Sequence, residues 1–301
     1  METNSGSRPE FYFSAAGFRH IMESGNIMTN IIKLGPRLQK VASFVPPEAI
    51  LADIGTDHAF LPVYLIQKKI IKKAIGVDIH PGPYESARKT VEMCGLQGRI
   101  DIRFGNGLGP LAKGEVDTLV VAGMGGTTIL EILQGNSSVT EGITTLVLQP
   151  QGAEAQVRVG LLSLGWKLKE ECLVEEDGRI YTVICFSQLE GYQKKDIEIR
   201  IGHLQADINS VINNGDSKQE GNLEFIPERS KIIHKYLWQC GPLILLKKDK
   251  LLRNIIKNII AGRKKIIREM NNTDRDEVKH ESKRLQQEVI CLEGILTWLF
   301  P

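Results

Sequence analysis

Between residues 50 and 187 the chain alternates short apolar runs with longer stretches in which apolar residues recur at helical spacing. Five apolar runs rich in β-branched residues predict strands, over Ile50–Ile54, 74–77, Ile100–Phe104, 118–122 and 144–148. The intervening and following stretches predict helices, over 59–68, 83–94, 126–133 and 153–164. Such alternation predicts a parallel sheet that helices cover on both faces.

Two further strand-like runs, 166–174 and 180–187, are joined by EEDGR, in which Asp-Gly signals a hairpin. A dinucleotide-type sheet normally continues with parallel strands, whereas a methyltransferase-type sheet ends in an inserted antiparallel strand. The predicted fold class is therefore α/β: a doubly wound, seven-stranded, Rossmann-like sheet of the class I methyltransferase type, with a terminal antiparallel hairpin. Because the sheet is complete by about residue 187, we expect its core not to need the tail.

The remainder of the chain has a different pattern. Residues 191–229 are polar and irregular, which predicts a linker or an insertion of low order. Beyond Lys247, apolar residues recur at spacings of three, four and seven, which predicts two long helices. Asn271 to Asp274 separate them, with Thr273 or Asp274 as a candidate cap. This part is expected to form an α-helical hairpin or coiled coil.

Three segments follow from these patterns: an N-terminal extension, a candidate for disorder, over 1–28; a sheet domain over 29–190; and a linker with a helical hairpin over 191–301. Charge separates the last segment from the rest. Residues 231–301 carry 15 Lys and Arg against 8 Asp and Glu, although the whole chain has a net charge of only +2. A basic tail behind an acidic front predicts that the tail contacts a polyanion.

Composition excludes some classes of protein. The five cysteines are scattered without a CxxC pair, so neither a disulfide framework nor a metal site is expected, and a reducing cytoplasm is the expected location. No apolar run reaches about 18 residues, so no membrane span is expected. No obligate protein partner is evident in the sequence.

The first predicted strand ends in the sequence LADIGTDH, which places Asp53, Gly55 and Asp57 at its end, and the second strand ends at Asp78. A strand that stops at a glycine, followed by a strand that stops at a carboxylate, is how a doubly wound sheet holds an adenosine-type ligand. No GxGxxG follows the first strand, and the terminal hairpin is of the methyltransferase type. Both features favour S-adenosyl-L-methionine (SAM) over a nicotinamide cofactor.

The motifs resemble those of the bacterial tRNA (adenine(22)-N(1))-methyltransferase family. The similarity lies in LADIGTDHAFL, RFGNGL, VDTLVVAGMGGT, LVLQPQ and EEDGRIY, and is weaker around Gly241. It implies a class I SAM-dependent fold, a C-terminal coiled-coil domain, methylation of adenosine 22 in the D-arm of tRNA, and S-adenosyl-L-homocysteine as product. The chain departs from the family in the 27 residues before Met28 and in the polar stretch after Gly191. It also departs at Gln151-Gly152, where the family often has Asn, and at Asp78, where it often has Glu; the last keeps a carboxylate.

The predicted cofactor residues lie at the ends of four strands. Asp53 organises its turn or meets the SAM ammonium group, Asp78 accepts the ribose hydroxyls, and an Asn-Gly pair approaches the adenine ring. The alternatives are a turn without a ligand, a solvated acid and an ordinary Asn-Gly turn. The whole set is Asp53, Ile54, Gly55, His58, Asp78, Ile79, Asn106, Gly107, Ala122 and Gly123.

The substrate residues are expected around the AGMGG segment, whose glycines leave the floor of the site open. The chain lacks the Pro-Pro-Tyr segment that holds the base in many amino-methyltransferases. Arg37 faces the SAM carboxylate or a tRNA phosphate, or is an ordinary surface residue. The predicted substrate-binding set at the sheet is Arg37, Met124, Gly125, Gln149 and Pro150.

Asp57 is the candidate catalytic residue. Adenine N1 has a free lone pair at neutral pH, so attack needs placement rather than proton removal, and the product ring gains positive charge. A carboxylate beside the ring would stabilise that charge or accept an N6 proton. The alternative is that Asp57 contacts SAM or caps the following helix. His58 fits a pocket or capping role better than a proton shuttle.

Nine basic residues and one acid occur between Lys247 and Arg268. This cluster is the candidate for gripping tRNA phosphates, and a solvated helix face is the alternative. The predicted tRNA contacts within it are Arg263, Lys264, Lys265 and Arg268.

The sequence leaves two other functions open. One is a SAM-dependent methyltransferase of another RNA, a protein or a small molecule. The other is a non-catalytic RNA-binding module with a decayed cofactor site, against which the intact Asp53, Gly55 and Asp78 argue.

Overall fold

The structure is a computed structural model that describes residues 31–215, 226–270 and 276–301. The predicted extension over 1–28 and the candidate caps Thr273 and Asp274 lie outside the described residues.

A seven-stranded sheet forms the centre of the chain. Its strands are β1 (Ile50–Ile54), β2 (Lys73–Asp78), β3 (Ile100–Phe104), β4 (Thr118–Met124), β5 (Thr145–Pro150), β6 (Lys167–Glu176) and β7 (Arg179–Ser187). They lie in the order β3-β2-β1-β4-β5-β7-β6. The first five are parallel, and β7 is antiparallel to both β5 and β6. The predicted sheet and its terminal hairpin are confirmed.

Helices cover both faces of this sheet. They are α1 (Pro36–Phe44), α2 (Phe60–Gln67), α3 (Pro81–Met93), α4 (Gly126–Gln134), α5 (Ser137–Thr140) and α6 (Glu154–Ser163). Buried apolar residues of α1, α2 and α3 form one core, and those of α4 and α6 belong to a second core on the other face. Strands buried on both faces explain why their sequences are nearly continuous apolar runs.

The prediction of an irregular linker over 191–229 is wrong. Two helices, α7 (Lys194–Gly215) and α8 (Ile226–Cys240), occupy most of it. The buried side chains of α7 recur at spacings of four and three, the pattern of an amphipathic helix; they are Ile197, Ile201, Leu204, Ile208 and Ile212. Polar residues between these isoleucines obscured the pattern.

The last helices are α9 (Pro242–Leu246), α10 (Leu252–Met270) and α11 (Asp276–Leu299). Lys264 Nζ lies 2.7 Å from Glu293 Oε1, and the Arg253 guanidinium lies 4.5 Å from the ring centroid of Phe300. Because the later residue of α10, Lys264, meets an earlier position than Arg253 does, the two helices run antiparallel. The helical hairpin is confirmed, whereas a coiled-coil geometry and the division into domains stay predictions.

The sheet layer and the C-terminal helices are joined through a buried ion pair. Arg158 Nε of α6 donates to Glu171 Oε2 of β6 over 2.7 Å, and both side chains are fully buried. Arg158 Nη1 also donates to the carbonyl of Trp238 over 2.8 Å, and Glu171 Oε1 accepts from the amide of Leu243 over 2.6 Å. A chain truncated after the sheet would lose the Trp238 and Leu243 partners of this pair; that the sheet core does not need the tail stays a prediction.

Candidate active site

The predicted cofactor residues meet where the sheet order reverses. Strand β1 lies between β2 and β4, and ligands of doubly wound sheets bind at the carboxyl ends of strands at such a point. The turn after β1 is tied to β2, because the amides of Gly55 and Thr56 both donate to the carbonyl of Val77, over 2.8 and 3.1 Å.

Gly55 brings the first loop against the fourth strand. Its φ is +72°, and a Cβ at this position would overlap the Cε of Met124. The backbone conformation favours glycine, and the absence of a side chain leaves room for the flexible end of Met124. A predicted cofactor residue and a predicted substrate residue are thus in contact across the site.

Asp53 is a buried carboxylate at the end of β1. Its Oδ2 accepts a hydrogen bond from Thr56 Oγ1 over 2.8 Å. Burial, together with the nearby carboxylates of Asp78 and Asp57, raises the pKa of Asp53 to about 6, although the Thr56 bond opposes the shift. Ionised Asp53 is therefore a negative charge that its surroundings disfavour, and a cation beside it would be stabilised.

Asp78 ties two loops together. Its Oδ2 accepts from the amide of Asp57 over 3.1 Å, and its Oδ1 accepts from the amide of His80 over 2.9 Å. Each carboxylate oxygen has a second acceptor position, so the group can still accept hydrogen bonds from a ligand. The predicted ribose contact is compatible with this geometry.

Asp57 lies in a loop with unusual backbone conformations. Asp57 and Ala59 have φ values of 51° and 57°, in the left-handed region that non-glycine residues rarely adopt. The N-cap of α2 is Ala59, which has no side-chain acceptor, so Asp57 is not the cap residue. Its side chain is 66% exposed, and Oδ1 lies 3.6 Å from His58 Nε2. His58 stacks on Phe60, with the ring centroids 5.1 Å apart.

An exposed apolar ledge adjoins Asp78. Ile79 is 46% exposed and Phe104 is 54% exposed, and Phe104 pairs with Asp78 in the register of β2 and β3. The ring of Tyr84 meets Phe104 edge to face at 5.6 Å. Asn106, which is exposed, and Gly107, which is partly buried and has a φ of +53°, follow in the loop after β3. The ledge is suited to a flat apolar surface such as an adenine ring.

The glycine segment at the end of β4 forms the other half of the site. Gly123 has a φ of +83°, and the pairing with β5 shifts register between Ala122 and Met124. The carbonyl of Met124 accepts from the amide of Gln151 over 2.8 Å. A Cβ on Gly126 would lie 2.6 Å from the carbonyl of Gly152, so only glycine fits there.

Arg37 lies beside this glycine segment. Its Nη1 donates to Oε1 of the fully buried Gln149 over 2.8 Å, and its Nε lies 3.4 Å from Glu176 Oε2. Its guanidinium is 5.5 Å from the ring centroid of Tyr181. The structure thus joins Arg37 and Gln149, which were predicted, with Glu176 and Tyr181, which were not. Both lie in the EEDGRIY motif, which was a signal for them.

The predicted tRNA contacts all lie on α10, and their environments differ. Arg263 Nε lies 2.9 Å from buried Glu288, and Lys264 pairs with Glu293. Lys265 and Arg268 are exposed; Lys265 Nζ is 4.0 Å from a carboxylate oxygen of Glu269, and Arg268 Nε donates to the carbonyl of Lys264. Arg263 is therefore a structural contact within the helices, whereas Lys265 and Arg268 remain accessible.

Within the described ranges, no cluster of three or more His, Cys, Asp or Glu residues has a metal-binding arrangement. None of the helices in these ranges combines the length and the apolar character that crossing a membrane requires.

Comparison with known families decides the class of this chain. The model of a family described as "Methyltransferase domain" matches residues 34–184, which is half of the chain. The chain belongs to this methyltransferase family. Over 155 residues it is 41% identical to the tRNA (adenine(22)-N(1))-methyltransferase of Bacillus subtilis, a match that covers 52% of this chain and 65% of the relative. This methyltransferase therefore spans less than two thirds of that relative's length in sequence.

Solved structures extend the similarity. The crystal structure of the Bacillus subtilis m1A22 tRNA methyltransferase TrmK has a TM-score of 0.66 and 27% identity, covering 88% of this methyltransferase and 99% of that chain. M. capricolum TrmK, in complex with the natural cofactor product S-adenosyl-homocysteine, has a TM-score of 0.52 and 28% identity, covering 68% of this chain and 97% of that one. The resemblance that the motifs predict is confirmed.

Proposed function

We propose that this methyltransferase transfers the methyl group of SAM to N1 of adenosine 22 in tRNA. The observation that carries the proposal is the buried acidic corner of Asp53 and Asp78, which lies at the switch point of the sheet beside the left-handed glycine Gly55. The named activity of the Bacillus subtilis relative and the cofactor product in the M. capricolum structure support it.

The acidic corner fits SAM in charge and in shape. Asp53 is a buried carboxylate with a raised pKa, which favours a cationic ligand such as the SAM ammonium group. Asp78 retains acceptor positions for ribose hydroxyls, and Ile79 with Phe104 offers an apolar surface for the adenine ring. When bound, SAM supplies an electrophilic methyl group. Ile54, His58, Asn106, Gly107, Ala122 and Gly123 complete the proposed cofactor set.

Asp57 is the proposed catalytic residue. The lone pair of adenine N1 forms the new bond to carbon, so the base gains positive charge as the methyl group arrives. The exposed carboxylate of Asp57 stabilises that charge or accepts a proton from N6. The left-handed backbone at Asp57 and Ala59 is consistent with a function, because such conformations cluster at sites where geometry has been selected over local stability.

The target base must leave any pairing, because N1 lies on its Watson–Crick edge. Met124 and Gly125, which are partly exposed, are the proposed walls of the base pocket, and the buried Gln149 and Pro150 are proposed to support them. Exposed basic residues on α10, such as Lys265 and Arg268, hold the tRNA through its phosphates. Residues 29–190 would thus perform the chemistry while 191–301 hold the substrate.

The test is incubation of the purified chain with methyl-labelled SAM and an unmodified tRNA transcript, followed by mapping of the labelled nucleotide. We expect label at adenosine 22 as N1-methyladenosine, and none in the same transcript with guanosine at position 22. Equal labelling of the two transcripts would assign a different target. Binding of tRNA without transfer under any condition would favour a non-catalytic RNA-binding module.

A further inference from the structure

Glu176, the last residue of β6, serves two groups at once. Its Oε1 accepts from the backbone amide of Arg37 over 3.1 Å, and its Oε2 lies 3.4 Å from Arg37 Nε. Helix α1 begins at Pro36, and its N-cap, Gly35, has no side chain. Glu176 therefore provides, from a different element, the carboxylate that stabilises a helix N-terminus.

Gly35 makes this arrangement possible. A Cβ at Gly35 would overlap the Glu176 carboxylate, so the glycine leaves room for the acid above the helix end. The side chain of Glu176 is 20% exposed, and the pair is therefore shielded from water on most sides. Its position is fixed by the helix end as well as by the Arg37 side chain.

The Arg37 guanidinium is held on a second side. Its Nη1 donates to Gln149 Oε1 over 2.8 Å, and the amide of Gln149 donates in turn to the carbonyl of Pro150 over 3.0 Å. The Tyr181 ring lies 5.5 Å from the guanidinium carbon. Within the described residues the remaining nitrogen, Nη2, has no hydrogen-bond partner. Two N–H donors of a fixed guanidinium are therefore available to a ligand.

The guanidinium lies beside the glycine segment. A Cβ on Gly123, a residue of β4, would be 3.7 Å from Arg37 Nη1, which is an ordinary contact distance, so Nη1 lies alongside the backbone at the end of β4. A guanidinium with a fixed plane binds planar or tetrahedral oxyanions more specifically than an ammonium group does. In the function proposed above, two oxyanions reach this segment: the carboxylate of SAM and a backbone phosphate of tRNA.

We infer that Glu176 is a positioning residue: by capping α1 and holding Arg37 against Gln149, it fixes the guanidinium at the glycine segment to bind an oxyanion of an incoming substrate. The inference rests on the proposed function for the identity of the substrates. The oxyanion is the SAM carboxylate or a tRNA phosphate, and the two are distinguished by separate binding measurements.

The experiment compares Glu176→Gln, Arg37→Lys and the double variant with the parent. Glu175→Gln is the matched control, because it makes the same change at the exposed neighbouring position. The Kd of SAM is measured by calorimetry and the Kd of tRNA by filter binding. We expect both single variants to raise the same Kd by about tenfold, the size expected for a lost charge-assisted hydrogen bond. The double variant should raise it little further, because the two residues act as one unit.

A change confined to SAM identifies the carboxylate, and a change confined to tRNA identifies a phosphate. The inference is overturned if both constants stay within twofold of the Glu175→Gln value, even if the melting temperature falls, because Glu176 would then be only structural. Independent, additive effects of the two single variants would also overturn it. Neither measurement requires methyl transfer, so a parent that binds both ligands without modifying adenosine 22 refutes the proposed function alone.

Discussion

Two buried carboxylates, one at the carboxyl end of the sheet and one among the C-terminal helices, have opposite electrostatic environments. Asp53 has one hydrogen bond within the described residues, from Thr56, and burial raises its pKa to about 6. Glu288 is equally buried, yet its pKa is lowered. Burial opposes its ionisation too, but it is outweighed by three partners; they are Tyr236, Lys235 and Arg263, at 3.0, 3.3 and 2.9 Å.

The difference distinguishes a carboxylate of a ligand-binding site from one that holds helices together. Glu288 is matched by cations and a hydroxyl of the same chain, so its contacts connect α8, α10 and α11 without a ligand. Among the described residues Asp53 has no such cation, and it lies near two further carboxylates, so its ionised form is one that a cationic ligand would stabilise. A buried charge left uncompensated is thus a better indicator of a binding site than burial itself.

The largest effect is expected at a matched buried pair. Arg158→Ala leaves Glu171 charged and buried without its cation, which costs about 3–5 kcal/mol when one partner of such a pair is removed. We expect a corresponding loss in the free energy of unfolding, measured by urea denaturation.

The control for that change is Arg88→Ala, which removes one arginine from an exposed pair with Glu85. An exposed pair of this kind contributes about 0–1 kcal/mol. Similar losses in the two variants would show that the Arg158 pair does not join the helices to the sheet.

Asp53→Asn should have the next largest effect on the free energy of unfolding, and it should stabilise the folded chain rather than destabilise it. Because the folded pKa of about 6 exceeds the ordinary 3.8, the folded state binds the proton more tightly, and stability falls as the pH rises from about 4 to 6. Asparagine does not ionise and so removes that penalty. The free energy of unfolding of the variant at pH 7.5 should exceed that of the parent by up to roughly 3 kcal/mol, with little difference at pH 4.

The same variant should bind SAM at least tenfold more weakly, because the cationic ligand loses its carboxylate. The parent's SAM affinity should also fall between pH 7.5 and 5.5, whereas that of Asp53→Asn should not. Calorimetry at the two pH values checks this. A variant destabilised at pH 7.5, with a parental SAM affinity, would place Asp53 among the structural carboxylates.

The sequence predicted the region around Asp53 better than the region around Glu288. Strands buried on both faces give nearly uninterrupted apolar runs, so β1 was located to the residue. The bounds of β3 were also predicted correctly, although it is an edge strand and only Ile100 is fully buried. Helix α7 was missed because its isoleucines are separated by charged and polar residues that resemble a linker. Helix α1 was missed because only Val41 and Ala42 of its nine residues are fully buried.

The site was predicted unevenly for a related reason. Asp53, Gly55 and Asp78 follow strands directly, and a strand end has a defined place in a doubly wound sheet. Glu176 contacts Arg37 across 139 positions of sequence, a pairing that depends on how the terminal hairpin packs on α1. Arg263 is predicted as a tRNA contact because its charge is visible in the sequence, whereas its ion-pair partner Glu288 is identified only by the packing of α10 on α11; the tRNA contact of Arg263 stays a prediction.

A smaller effect is expected at Asp57, a carboxylate of the site that is mostly exposed. Asp57→Asn keeps a residue that tolerates the left-handed backbone and removes the charge. Because water screens an exposed group, we expect kcat to fall by roughly tenfold, with the SAM Kd nearly unchanged. Glu48→Gln is the control, since Glu48 is an exposed acid with a φ of 64° at the amino end of β1. A loss confined to SAM affinity would make Asp57 a cofactor contact.

The smallest effect per residue is expected on the exposed face of α10, which tests the other half of the comparison. Lys257, Lys265 and Arg268 are exposed, whereas Arg263 is tied to Glu288. Replacing the first three with Gln should weaken tRNA binding several-fold. The slope of log Kd against the logarithm of the salt concentration should fall by about 2–3, because each phosphate contact releases about one counterion. Urea stability should stay unchanged. Arg263→Gln should do the reverse, lowering the free energy of unfolding and leaving the salt dependence intact.

The charge-matched control replaces Lys68, Lys69 and Lys73 with Gln. These residues lie at the amino end of β2, away from the site, and the change removes the same charge. If this control reduces the salt dependence as much as the α10 variant does, tRNA affinity reflects the overall charge of the chain rather than a surface on α10.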